Sequence, residues 1–99
     1  MVKELPIKIS ERAIAEIATI IKEKNIPQNY FLRVGIKGGA GCSGVSFVIG
    51  FDKLKPGDTL FDYKGINILI EKAHTMFLIG VEIDFEDSAE ERGFIFNKI

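Results

Sequence analysis

The spacing of apolar residues along this chain changes several times, and each change marks an element. After Ser10, the residues Ile14, Ile17, Ala18 and Ile21 recur at i, i+3, i+4 and i+7, which is one apolar stripe on a helix. Ser10 is suited to cap that helix, Glu11 puts negative charge at its positive end, and Pro27 blocks its continuation. The pattern predicts an amphipathic helix of about 15 residues that serves as packing material. From Tyr30 the period becomes two, with Leu32, Val34 and Ile36 alternating with Arg33, Gly35 and Lys37. The same alternation returns from Val45 to Phe51, where Val45, Phe47, Ile49 and Phe51 oppose Ser46, Val48 and Gly50. Two such runs joined by a glycine-rich stretch predict a hairpin with a broad tip.

Asp52 to Asp58, with Pro56-Gly57 inside it, reads as a polar turn. Thr59–Tyr63 and Ile66–Ile70 then predict a second hairpin, turned at Lys64-Gly65. Glu71 to Ile79 reads as a short helix that buries Ala73, Met76 and Phe77, with Gly80 as its C′ residue. Val81, Ile83 and Phe85 alternate with Glu82, Asp84 and Glu86 as a further strand, followed by an acidic, mobile loop from Asp87 to Gly93 and by Phe94-Ile95-Phe96. The expected architecture is α+β: short strands and hairpins predominate, with one long N-terminal helix and one short helix.

Composition narrows this picture. At 99 residues the chain has room for one hydrophobic core, so residues 1–99 are expected to form a single domain. With 46% hydrophobic residues, eight of them Phe, it has the apolar material to fill that core, and disorder is not expected. A net charge of -1 gives no general attraction for nucleic acid or an anionic membrane surface. No apolar run approaches the roughly 20 residues of a membrane span, and the opening residues lack the apolar region of a secretory signal. A lone cysteine forms no internal disulfide, which fits a cytoplasmic, reducing location.

The candidate chemistry lies in Lys37-Gly38-Gly39-Ala40-Gly41-Cys42-Ser43-Gly44, which holds four of the ten glycines and the only cysteine. Gly39 to Gly44 formally match the dinucleotide fingerprint G-x-G-x-x-G, but that motif needs a helix N-terminus directly after it, and a period-two strand follows here. No P-loop sequence is present. A nucleophilic Cys42 would need a base, and the single histidine, His74, reads as a surface or half-buried helical residue. Glu82, Asp84, Glu86 and Asp87 are most simply the wet face of a strand, with hard-metal binding the lesser reading. Metal or cluster binding by Cys42 has more physical support. Backbone N–H groups of a glycine loop form an anion-binding nest, which lowers a thiol pKa and donates hydrogen bonds to sulfur. A cluster takes about four thiolates, so one thiolate per chain would require several subunits to converge. Taken alone, Cys42 is equally consistent with an inert loop cysteine.

Several segments together resemble the A-type iron–sulfur cluster carriers, or HesB-like proteins. They are Ile9-Ser10 with Ala13, Leu32-Arg33-Val34, Gly41-Cys42-Ser43-Gly44, Phe51-Asp52, Phe77-Leu78-Ile79-Gly80, Ile83-Asp84-Phe85 and Gly93-Phe94-Ile95-Phe96-Asn97. The resemblance implies a HesB-like α+β fold, association into homodimers or homotetramers, and binding of iron or an iron–sulfur cluster for delivery to apo-proteins, in concert with a cluster-assembly scaffold. It matches Cys42 to the first of three ligand cysteines, making Cys42 the expected metal ligand and Gly41, Ser43 and Gly44 its cofactor-binding neighbours. The family's other two cysteines stand in a Cys-Gly-Cys tail after the position of Asn97, and this sequence, ending at Ile99, contains neither. The leading expectation is therefore a non-enzymatic carrier-like protein that binds its cargo through Cys42 across subunits. A cluster-free interaction module of the assembly machinery is the alternative, and a thiol redox sensor or cysteine enzyme is the third reading.

Overall fold

Alternating side chains become strands wherever the sequence shows them. The computed structural model describes residues 4–38 and 45–98. In chain order it contains β1 (Lys8–Ile9), α1 (Glu11–Glu23), β2 (Phe31–Gly38), β3 (Val45–Asp52), β4 (Asp58–Tyr63) and β5 (Ile66–Glu71). A single 3-10 turn (Lys72–His74) then leads into α2 (Thr75–Leu78), followed by β6 (Val81–Asp87) and β7 (Arg92–Lys98). These elements fall into two units, one built on Pro27–Leu78 and the other joining Pro6–Ile26 to the segment from Ile79 onward.

The first unit is a four-stranded sheet in the order β3-β2-β5-β4. β2 and β3 pair antiparallel over their full length, from Phe31 opposite Asp52 to Gly38 opposite Val45. β4 and β5 form the second hairpin, and its turn carries positive φ at both Lys64 (52°) and Gly65 (83°). Two successive left-handed residues are what a two-residue hairpin turn with the strands' own twist requires. The two hairpins join through a parallel pairing of β2 with β5, Leu32 opposite Ile68 and Arg33 opposite Leu69. β5 is thus an interior strand, and Ile66, Ile68, Leu69 and Ile70 are all buried. A run apolar at consecutive positions fits a strand covered on both faces.

The second unit packs α1 with the sheet β1-β6-β7. Ser10 caps α1 as expected: its Oγ accepts the Ala13 N–H at 3.2 Å, and its carbonyl accepts the Ile14 N–H at 2.9 Å. The apolar stripe is rotated from the expected one. Ala13 and Ile17 are fully buried, Ile14 and Ile21 are half-buried, and Ala18 is exposed. An alanine contributes little to the hydrophobic drive, so it is the larger Ile17 and the close fit at Ala13 that orient the helix. β1 pairs parallel to β6, with Ile9 opposite Ile83, and β6 pairs antiparallel to β7. Phe85 and Phe94, opposite one another in that pairing, meet edge to face at 5.0 Å, and the Arg92 guanidinium lies 5.2 Å from the Phe85 ring.

Two expectations need correction. The segment from Glu71 to Ile79 is not a continuous helix burying Ala73, Met76 and Phe77: it is a 3-10 turn and one α-turn in which Leu78 is buried, Ala73 and Phe77 are exposed, and Met76 is 74% exposed. A 3-10 turn advances about 120° per residue instead of about 100°, so the apolar phase read for an α-helix is lost by its end. Gly80 does take the left-handed conformation expected of it (φ 80°). The acidic loop is also shorter than expected. β7 begins at Arg92, and residues 88–91 are tied by Ser88 N–H to Glu91 O (2.9 Å) and Glu91 N–H to Ser88 Oγ (3.1 Å).

Candidate functional site

The hairpin of β2 and β3 presents the cysteine-bearing stretch between two paired residues, Gly38 and Val45. Gly38 has φ 92°, a left-handed conformation that a side chain would strain, at the point where β2 leaves the sheet. The expected site residues Gly41, Cys42, Ser43 and Gly44 lie outside the described residues. What the structure defines is their mount: two eight-residue strands in unbroken register.

The opposite end of that hairpin is clamped by Arg33, which the alternation pattern placed on the same face of the strand as Gly35 and Lys37. Its Nη1 and Nη2 donate to the two carboxylate oxygens of Asp58 at 2.8 and 2.6 Å, its Nε donates to Asp52 Oδ2 at 3.0 Å, and Nη2 also reaches the Lys53 carbonyl at 3.0 Å. Asp58 additionally accepts the Lys55 N–H at 2.8 Å, which closes the Pro56-Gly57 turn on itself. The fork-to-fork geometry joins β2, the end of β3 and the start of β4 through one guanidinium. Arg33 holds the Asp58 carboxyl below the usual carboxylate range, against a smaller opposing effect of burial. Asp52 is lowered as well, first by Lys55 and then by the Lys53 N–H.

A carboxyl with a depressed folded-state pKa adds stability above its ordinary pKa of about 3.9, and that stability is lost as pH falls through the depressed value. The Asp58 side chain is 1% exposed and that of Arg33 21%, so water screens the pair only in part. Asp58→Ala is expected to destabilise by about 2–3 kcal/mol, a fall in thermal midpoint of roughly 10–20 °C at neutral pH. Asp58→Asn is expected to flatten the decline in midpoint as pH is lowered from about 5 towards 2. Thermal unfolding followed by circular dichroism across that range checks both, and a midpoint unchanged by Asp58→Ala would refute the clamp.

His74, read as a surface or half-buried helical residue, is half-buried in the 3-10 turn beside β2. Its Nδ1 accepts the Ile36 N–H at 3.4 Å, and its Nε2 lies 3.1 Å from Glu71 Oε2. The acidic face of β6 behaves as the wet face of a strand, but one member is fully engaged. Asp84 accepts from Ser10 Oγ (2.6 Å), from Arg12 Nε and Nη2 (both 2.7 Å) and from the Phe85 N–H (2.8 Å). Arg12 foremost, then Ser10, holds the Asp84 carboxyl far below the usual range. Among the described residues no group of three or more His, Cys, Asp and Glu side chains is placed to hold a metal ion. Among them, too, no helix is long and apolar enough to cross a membrane.

Residues 5–98 match the family described as iron-sulphur cluster biosynthesis. The chain belongs to that family. The chain is similar to a protein named SufA from Bacillus subtilis (strain 168), 41% identical over 90 residues, which are 90% of this chain and 73% of that protein. The iron-binding protein IscA of Pectobacterium carotovorum subsp. carotovorum (strain PC1) is 34% identical across 94% of this chain and 85% of its own length. Among solved structures, Escherichia coli SufA, involved in biosynthesis of iron-sulfur clusters, superposes with a TM-score of 0.76, covering 93% of this chain and 79% of its own at 22% identity. That likeness establishes the fold, so the mostly-β α+β architecture is HesB-like, as the sequence led us to expect. The iron-sulphur cluster biosynthesis family is also the one the sequence resembles at Leu32-Arg33-Val34 and Gly41-Cys42-Ser43-Gly44.

Proposed function

We propose that this protein binds iron or an iron–sulfur cluster through Cys42 and passes it to apo-proteins, its thiolate meeting those of one or more further copies of the chain. The observation that carries the reading is the position of the single cysteine in a glycine-rich stretch of sequence between two fully paired strands, in a chain of the iron-sulphur cluster biosynthesis family. The described strands fix the two ends of the stretch at Gly38 and Val45, and glycine-rich backbone is suited to donating N–H groups to sulfur and to a bound anion. Gly41, Ser43 and Gly44 would line the cargo beside Cys42. The described residues supply no alternative ligand cluster, which is why the reading rests on Cys42. An iron-binding relative 34% identical to this chain supports iron as the metal. We place the protein in the cytoplasm, as one domain over residues 1–99, and its role as binding and release instead of catalysis.

Because one chain contributes one thiolate and a cluster takes about four, cargo and assembly are coupled. The binding free energy of the cargo is then available only to the associated form. Anaerobic incubation with ferrous iron and sulfide, followed by gel filtration with visible detection, tests this. The expected result is a coloured dimer or tetramer that dissociates when the metal is chelated. A colourless protein whose size is unaffected by iron and sulfide would overturn the proposal and favour a cluster-free interaction module.

A further inference from the structure

We infer that His74 is a positioning residue for the end of β2 that leads into Cys42, and that it acts as the neutral imidazole. β2 is paired with β3 along its whole length, but on its other side it meets β5 only at Leu32 and Arg33. β5 ends at Glu71, and the chain turns away through Lys72–His74 just where β2 runs on towards Gly38. The Ile36 N–H, on that open side, is taken by His74 Nδ1. An N–H left in this position with neither strand nor water partner would cost the full desolvation of a peptide group.

Two further features show that the ring belongs there. A Cβ added at Gly35 would stand 2.9 Å from His74 Nδ1 and 3.5 Å from Cε1, so the missing side chain of Gly35 is the seat of the imidazole. The Glu71 carboxylate at 3.1 Å from Nε2 puts the proton on that nitrogen, which leaves the Nδ1 lone pair free to accept. Both ring nitrogens are therefore assigned by their partners. Protonation puts a hydrogen on Nδ1, opposite the Ile36 N–H, and two donors then face each other.

The charges around the ring act in both directions. Glu71, on the ring's own turn, favours the imidazolium. Lys72 beside it opposes the imidazolium, as do Lys37 and Arg33, which share the face of β2 that carries Gly35, although Arg33 is matched by Asp52 and Asp58. From β3 the neighbour is the uncharged Val48, opposite Gly35, and α2 has no charged residue. The imidazole is thus a latch that opens on acidification, after which Ile36 to Gly38 are held by β3 alone. The effect on cargo rests on the reading that Cys42 binds it, whereas the latch itself does not.

The test uses the full chain labelled with nitrogen-15, followed by NMR over the roughly pH 5–8 range in which imidazoles change charge. The His74 ring protons report the protonation state, and the Ile36 amide shift is expected to follow them with the same midpoint. Protection of the Ile36 amide, corrected for the intrinsic pH dependence of exchange, is expected to drop about five-fold on protonation. His74→Asn, which keeps an acceptor but cannot titrate, should give a flat Ile36 profile at the neutral wild-type level, and His74→Ala should lack protection throughout. An Ile36 amide indifferent to the ring's titration in the wild-type protein overturns the inference, as does an Asn variant no better than Ala. Cargo retention measured on the same proteins should fall about five-fold with the ring's midpoint in wild type and not in His74→Asn. Cargo retention that falls alike in both proteins overturns the link from latch to site. If Ile36 follows the ring but no cargo binds at any pH, the latch stands and the cargo reading fails.

Discussion

Replacing Cys42 with serine is expected to strip the protein of iron–sulfur cargo while leaving its fold intact. The two side chains differ by one atom, so the β2–β3 hairpin that carries the stretch loses no packing. What changes is the donor. A thiol, with an ordinary pKa of about 8.5, gives up its proton to bind a metal near neutral pH, whereas a serine hydroxyl stays protonated and is a poor ligand for iron. Since Cys42 is the only cysteine of the chain, every thiolate in an assembly of identical subunits is removed at once. The loss of bound iron should exceed the roughly 10–100-fold seen when only an outer-shell partner of a metal site is removed. Visible absorbance and iron content after anaerobic reconstitution measure the loss, and a thermal midpoint within a few degrees of wild type confirms the intact fold. Full colour in the serine variant would mean that the cargo lies elsewhere on the molecule.

Replacing Ile68 with alanine is expected to have the largest effect on stability, because this residue stands in the middle of the four-stranded sheet. Leu32, Ile68 and Phe61 lie side by side on β2, β5 and β4, and Ile68 is fully buried. Truncation removes three carbons from a row closed on both sides, and neighbours pinned by sheet hydrogen bonds cannot move in to fill the gap. Such losses cost about 3–4 kcal/mol, or roughly 15–25 °C in thermal midpoint for a chain of this size. That is a large share of the roughly 5–15 kcal/mol that separates folded from unfolded domains. Val48→Ala, on the exposed face of β3, should change stability by less than about 1 kcal/mol and serves as the control. Similar midpoints for the two variants would show that the Leu32–Ile68–Phe61 row does not carry the core of this sheet.

The candidate site shows where sequence reading reached and where it stopped. Cys42 stood out because a lone cysteine among glycines, between two period-two runs, is a pattern contained within a few residues. The Arg33 clamp did not stand out. Asp52 and Asp58 read as turn residues, and only the pairing of β2 with β3 and the closure of the Pro56-Gly57 turn bring both carboxylates to one guanidinium. His74 was further out of reach. Its partner Ile36 lies 38 positions away, and the seat for its ring is the absence of a side chain at Gly35. Alternating apolar residues give no sign that a glycine on the opposite face is there to admit a ring.

The sequence by itself determined the local architecture: the Ser10 cap, the hairpin of β2 and β3, the Lys64-Gly65 turn, the alternation of β6 and the left-handed Gly80. Each depends on residues near one another in the chain, where side-chain sterics, capping hydrogen bonds and the two-residue period of a strand act directly. Only the tertiary structure decided the parallel pairings of β2 with β5 and of β1 with β6, the choice of Ala13 and Ile17 over Ala18 as the buried face of α1, and the exposure of Met76 and Phe77 beside a buried Leu78. These are long-range choices. A parallel pairing leaves no turn in the sequence to announce it, and a helix or a single turn has several apolar phases to offer until the sheet beside it selects one.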